Sequence, residues 1–478
     1  MHASLEAQHG EGLKKDALPF TEVLGQSVAN IAPTLTPAVN LAFVYSSAGN
    51  GSWFTYLVAT VGLVLIGLCI NQFARRSATP GSLYSYASGT FGPNTGFMIG
   101  WGLLLAYLTT GIAVTAGCAM YAQDLSKMAG FNLPAVLVFA IVAASVWAIT
   151  YRDVRLSARA MLALEAISVS AILILGFFVL KHNGFAVDHQ QLQLKGLTGD
   201  GLRTGLVLGI FSYVGFESAT AMGGEAKNPL RSVPRAVIMS TVLAGVFFMI
   251  MSYIMVQGFH GTEGTANSLD KVSGPMIYLS KQVGIPALGA ITSLGGVISF
   301  FACAMACATA ASRIMLVMAR DGFMHANVGK THSSNETPHI AATISAIALF
   351  VVPLYMLARG YVLNDIYGTN GTIATYGFLV AYVTIAVGSV LMLSRQGKLT
   401  FGPIAAAVAG VAMMGLAIYG SVIPYPAAPL NVLPPVFAIY MIIGAVWLLV
   451  MRGNAIRTAE ERRSTTGSSL GLEAEGAA

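Results

Sequence analysis

Of the 478 residues 55% are hydrophobic and only 10% charged, with a mean hydropathy of +0.70; soluble domains are about a quarter charged, so the composition excludes an ordinary soluble domain. A net charge of +6 and a pI near 9.1 do not signal nucleic acid, because the basic residues stand in short loops between apolar runs, where they read as topology signals. The cysteines Cys69, Cys118, Cys303 and Cys307 all lie inside apolar runs, and no His, Cys, Asp or Glu spacing resembles a metal site, so no disulfide, metal or cofactor is expected.

Met1 to Leu18 is polar and lacks the apolar stretch of a signal peptide, which predicts a cytoplasmic tail. The first apolar run, about Val23 to Tyr45, contains GQSVANIAPTLTPAVNLAFVY. Its Pro33 and Pro37 must disturb the helical hydrogen bonds. Further apolar runs lie near 53–74, 94–122, 133–151, 155–181, 202–223, 234–258, 284–319, 338–357, 371–394, 402–423 and 432–451. Together they predict an all-α polytopic membrane protein of about twelve transmembrane helices in a domain over 19–451, with interfacial turns in the long third and eighth runs. With the amino terminus inside, about 19 of the 26 Lys and Arg fall on the cytoplasmic side, among them Lys14, Lys15, Arg75, Arg76, Arg152, Arg155, Arg159, Lys227, Arg231, Arg235, Arg313, Arg320, Lys330, Arg395 and Lys398, which predicts that both termini are cytoplasmic. Residues 452–478 are rich in Ser, Gly and Glu and are expected to be a disordered tail.

The run beginning at Leu206 places Ser212, Tyr213, Gly215 and Glu217 at bilayer depth. A charge there costs roughly 2.5 to 3.5 kcal/mol on insertion scales, so Glu217 is expected to face protein, water or cargo. Gly209 and Gly215 bracket FSYV and allow the helix to open, which membranes tolerate only where the freed groups line a cavity. Two interrupted spans in corresponding halves point to a transporter site. No GxxxxGK[ST] motif and no catalytic constellation is present, which argues against an enzyme or a nucleotide-driven pump.

The run FSYVGFESA, followed by Glu225 and KNPLRSVPR, resembles helix 6 of the amino acid-polyamine-organocation superfamily. The segments ATPGSLYSY after the second run and ARDGF after the eighth are similar to family loops, and the resemblance covers about residues 19–395. It implies the leucine-transporter fold, a 5+5 inverted repeat plus two extra helices, with cargo between broken helices 1 and 6. Carried over by position, it assigns Ala29, Asn30, Ile31 and Ala32 to the helix 1 break, Phe211 to an aromatic gate, and Ser212, Tyr213, Val214 and Gly215 to the unwound part of helix 6. The glycines of the family's helix 1 break are absent here, and Pro33 has no amide to donate; the side-chain amide of Asn30 is the available substitute. Where a helix is interrupted, free amides attract a carboxylate and free carbonyls an ammonium.

A second acid, Glu165, stands among Ala, Leu and Ile at a place where several family members carry a lysine. Burial penalises the charged form of a carboxyl, so Glu165 is a candidate proton carrier alongside Glu217; the alternatives are a staple to Asn30 or the helix 1 backbone and a contact to the cargo's ammonium group. Ala302 to Ala308 of helix 8 offers no hydroxyl, with Ser299 and Thr309 flanking it, which argues against a sodium site. Tyr107, Thr109, Thr110 and Tyr376 are candidate cavity-lining groups. The expected function is an inner-membrane secondary transporter importing an amino acid or related amine with protons. An uncoupled exchanger, a sodium symporter and a non-transporting sensor remain alternatives. The expected partners are the cargo, protons and the lipid bilayer, and no nucleic acid.

Overall fold

Proline fixes where several helices begin. Pro93, Pro229, Pro275 and Pro286 each occupy a first helical position, where the missing N–H costs nothing. In a computed structural model that describes residues 10–272, 274–423, 430–451 and 453, the chain forms α1 (Phe20–Ile31), α2 (Leu41–Ala48), α3 (Ser52–Ala74), α4 (Ser82–Phe91), α5 (Pro93–Met128), α6 (Ala135–Arg152), α7 (Val154–His182) and α8 (Gly199–Phe211). It continues with α9 (Pro229–Gly258), α10 (Pro275–Gln282), α11 (Pro286–Arg320), α12 (His339–Ala358), α13 (Leu363–Arg395), α14 (Phe401–Val422) and α15 (Leu433–Met451). Among the described residues there is no β-strand, only an isolated bridge between Leu18 and Ala226. Among the described residues ten runs are long and apolar enough to cross a membrane, the first of them the 55 residues Phe20–Ala74. The all-helical membrane class expected from composition is therefore what the chain adopts.

Inside the bundle, α11 packs along α5 and α7, and α13 along α5. Small residues allow this. A side chain at Gly111 would meet Leu349 and Cys307, and one at Gly117 or Gly296 would run into Phe300 or Tyr121. With lipid as apolar as leucine, close packing of small residues is what draws membrane helices together. The opposite faces carry exposed Val61, Ile141, Phe177, Leu243, Ile347, Ile442 and Val446, as a lipid-facing surface requires.

Two expectations need correction. The third and eighth runs contain no turn: α5 is one helix of 36 residues and α11 one of 35. At 1.5 Å per residue each exceeds the roughly 30 Å hydrocarbon core, so the extra length is helix projecting beyond it. Arg313, counted from sequence among the topology charges of the cytoplasmic side, lies within α11 and is buried. The residues just before α1 are also tied down. The amides of Ala17 and Leu18 donate to the Glu225 carbonyl at 2.8 and 3.0 Å, and Lys227 N–H donates back to Leu18 at 2.7 Å. Met1 to His9 and, apart from Gly453, the polar tail at 452–478 lie outside the described residues.

Candidate functional site

The first break follows from Pro33. Helix α1 stops at Ile31, and Ala32 turns into the left-handed region at φ 48°. The chain resumes as a π-turn over Thr36–Asn40, which leads into α2. The second break follows α8. Residues 212–217 form turns, Gly215 sits at φ +87°, and a 3-10 turn over Ser218–Met222 carries the chain onward. Ala29, Asn30, Ile31, Ala32, Ser212, Tyr213, Val214 and Gly215 are all buried.

The two breaks touch. A methyl group on Gly215 would lie 1.8 Å from Asn30 Nδ2, so only glycine admits the Asn30 carboxamide there. Ser27 Oγ donates to the Phe216 carbonyl at 2.7 Å and accepts from Ala219 N–H at 3.0 Å, and Ser218 Oγ donates to the Gln26 carbonyl at 3.2 Å. From α11, the Cys303 thiol donates to the Asn30 carbonyl at 3.3 Å and the Cys307 thiol to Asn30 Oδ1 at 3.0 Å. That leaves Asn30 Nδ2 as a buried donor with no partner. Such a group costs about 1 to 3 kcal/mol unless something accepts its hydrogen bond.

Side-chain contacts flank this region on two sides. Toward α2, the Phe211 ring covers Gly371 of α13, where an added Cβ would lie 2.5 Å from it, and stands edge-on to Tyr367 at 6.1 Å. Behind it a polar chain crosses the bundle. Tyr367 hydroxyl donates to Asn40 Oδ1 at 2.7 Å, and Asn40 Nδ2 donates to Ser212 Oγ at 3.0 Å. Toward the amino-terminal segment, Arg313 grips Glu225 through Nε at 2.5 Å and Nη2 at 2.8 Å, with both side chains almost wholly buried. This bidentate pair locks α11 to the end of the second break.

Two other buried acids, Glu217 and Glu165, are held differently. Glu217 receives a donor on each oxygen, the Tyr107 hydroxyl at 2.6 Å and the Tyr382 hydroxyl at 2.6 Å. Glu165 of α7 faces one hydroxyl, Ser299, which lies 2.8 Å from Oε1 and 3.0 Å from Oε2. A hydroxyl has one hydrogen, so one of the two oxygens gets no hydrogen from it. The staple from Glu165 to Asn30 is not what the structure shows. Asn30 Oδ1 is bonded to Cys307, and α7 reaches the first break instead through Ser168, whose Oγ lies 2.5 Å from Thr34 Oγ1.

The other sequence candidates make no hydrogen bond to either break among the contacts described. Thr109 and Thr110 spend their hydroxyls on carbonyls of their own helix, at 2.8 Å each. Tyr376 packs against Phe437 of α15. Sequence reasoning missed Tyr382, Asn40, Gly371 and the Arg313–Glu225 pair. Tyr382, six residues beyond Tyr376 on α13, carries no motif of its own, and only the pairing of helices reveals it.

The sequence profile described as amino acid permease matches residues 22–462. The chain is 23% identical to the branched-chain amino acid permease BcaP of Bacillus subtilis (strain 168) over 427 residues, covering 85% of this chain and 83% of that protein. It is 25% identical to a methylthioribose transporter of the same organism over 372 residues, covering 74% and 76%. To the low-affinity putrescine importer PlaP of Escherichia coli (strain K12) it is 24% identical over 341 residues, covering 69% and 71%.

Proposed function

Because the chain belongs to the amino acid permease family, we propose that it carries an amino acid with an uncharged side chain across the cytoplasmic membrane, driven by protons, through alternating access between the two helix breaks. The observation that carries this reading is the unpartnered Asn30 Nδ2 at the contact between the breaks. A carboxylate satisfies that donor, and a simple diamine has nothing to accept its hydrogen. The carbonyls where α1 ends, each able to accept a second hydrogen bond, are assigned to the ammonium group. Beside the breaks, Glu217 is engaged by Tyr107 and Tyr382 and Glu225 by Arg313, and Glu165 is assigned below to the proton, so none of these three acids is assigned to a cationic side chain of the cargo.

Twelve crossings fit the chain. Phe20–Ala74 is 55 residues, enough for two passes at about 20 residues each, and the interrupted stretch from α8 to Met222 supplies another. The breaks then fall in the first and sixth crossings, as a 5+5 inverted repeat requires. The Lys and Arg bias supports cytoplasmic termini, which makes Phe211 with Tyr367 the outer closure and Arg313 with Glu225 the inner one.

Coupling is assigned to Glu165. Its charge is met by a single hydroxyl, so binding a proton removes a poorly compensated buried charge, and Ser168, one turn away, ties the same helix to the first break. Glu165→Gln keeps shape and hydrogen bonding but fixes a neutral state. In proteoliposomes this variant is expected to lose accumulation driven by an inward proton gradient while retaining counterflow exchange at equal pH. Full gradient-driven accumulation by the variant removes Glu165 from coupling and makes Glu217 the next candidate. Equal loss in both modes marks Glu165 as a structural staple, whose breakage costs about 1 to 3 kcal/mol whatever the gradient.

A further inference from the structure

The connection from 183 to 199 does not hang loose between α7 and α8. Asp188 opens the one-turn helix His189–Leu192 by accepting from the amides of Gln190 and Gln191 at 3.0 and 3.2 Å, and Gln191 Nε2 donates to it at 2.6 Å. Tyr253 hydroxyl of α9 accepts from the Asp188 amide at 2.7 Å, and Gln257 Nε2 of α9 donates to the Ala186 carbonyl at 2.7 Å. On the other side, Trp53 Nε1 and Asn50 Nδ2 donate to the carbonyls of Gln191 and Lys195 at 3.0 and 3.2 Å. The segment is thus a strap between the end of α9 and the α2–α3 turn. It runs directly into α8, whose last residue is Phe211.

His260, just past α9, closes the strap. Its Nε2 contacts Asp188 Oδ2, and its Nδ1 lies 3.1 Å from Glu263 Oε1. Glu263 Oε2 accepts from the Gly261 amide at 2.8 Å. A neutral imidazole has one donor and one acceptor, so a ring with a carboxylate at each nitrogen is satisfied only as the doubly protonated cation. Asp188 is buried, whereas the His260 side chain is 33% exposed and open to protons from water.

We propose that His260, held between Asp188 and Glu263, is a proton-operated clasp that fixes the 183–199 strap to α9 and thereby steadies α8 and its gate. Burial alone lowers the His260 pKa, but the hydrogen bonds to Asp188 and Glu263 outweigh it and hold it above the ordinary 6.5. Burial also acts to raise the Asp188 carboxyl, but the hydrogen bonds from Gln191 and His260 win and hold it below 3.8. A raised histidine contributes its full stability below its unfolded value and loses it as pH rises through the folded one. A depressed carboxylate contributes above its unfolded value and loses it as pH falls through the folded one. The clasp is therefore shut between these limits and opens on the alkaline side above 6.5. Other ionisable groups nearby are Lys195 of the strap and Tyr45 of α2, which with His260 and Glu263 line a cavity of about 430 Å³. His182 at the end of α7 shares a second recess with His260.

The link to the gate rests on the transporter reading; the clasp itself does not. The test is hydrogen exchange of residues 189–199 in the full-length protein in detergent, with protection corrected for intrinsic exchange. Wild type should lose about tenfold or more of its protection between pH 6 and pH 9. His260→Arg, a permanent cation, should stay protected at both, and His260→Ala should be unprotected at both. An unchanged wild-type strap across this range, or the same loss in His260→Arg as in wild type, overturns the clasp. If the strap behaves as expected but initial uptake at matched inner and outer pH does not follow it, the clasp stands and its connection to the gate falls.

Discussion

Gly215→Ala is expected to weaken cargo binding by roughly 50-fold, whereas Gly209→Ala, six residues earlier, should bind within about twofold of wild type. Gly215 sits at φ +87°, a conformation that L-residues rarely adopt, and its new methyl group would overlap Asn30 Nδ2 at 1.8 Å. Left-handed strain of about 1–2 kcal/mol adds to overpacking of about 1–3 kcal/mol, and the carboxamide that can relieve the clash is the one assigned to the cargo. Gly209 lies inside α8, where a Cβ would make only ordinary contacts of 3.5 Å with Thr55 and 3.8 Å with Ala59. Ligand-induced thermal shift on both variants decides the matter. Equal affinities for the two would mean that the cargo does not sit at the Asn30–Gly215 contact.

Arg313→Ala should cost about 3 to 5 kcal/mol of stability, because it strands the Glu225 carboxylate in a fully buried place. The pair is worth much less than that sum suggests, since replacing both charges with apolar groups of similar volume is commonly neutral or stabilising. The double variant Arg313→Met with Glu225→Leu is therefore expected to recover near-wild-type thermal stability while losing the polar lock between α11 and the second break. A cysteine placed at Ser218 should then react faster with a membrane-impermeant thiol reagent from the cytoplasmic side. If the double variant folds and labels no faster than the single cysteine control, the pair is a structural staple rather than the inner closure.

Much of this arrangement was legible in the residues. Pro33 and Pro37 announced the first break because a missing N–H is a local fact, and Gly215 with Glu217 announced the second because a glycine and an acid at bilayer depth need a reason. What the sequence left hidden are partnerships across helices. Glu217 reads as a lone acid until Tyr107 and Tyr382 are brought to it from α5 and α13, and Glu165 reads as an acid whose partner is undefined until Ser299 is found facing it. Arg313 counted as a topology charge because it stands near the cytoplasmic end of its apolar run, seven residues before Arg320; its burial is matched by Glu225, 88 positions away. The thiols of Cys303 and Cys307 behave as small hydrophobes in sequence, yet they take the two oxygens of Asn30 and so set which of its atoms is left without a partner.

The most direct test is uptake of labelled leucine into proteoliposomes containing the purified protein, with and without an inward proton gradient, and with putrescine as competitor. Leucine should accumulate above its external concentration only while the gradient lasts, collapse on addition of a protonophore, and be insensitive to excess putrescine. Accumulation of putrescine in place of leucine, or leucine accumulation that survives the protonophore, would contradict a proton-driven carrier for amino acids with uncharged side chains.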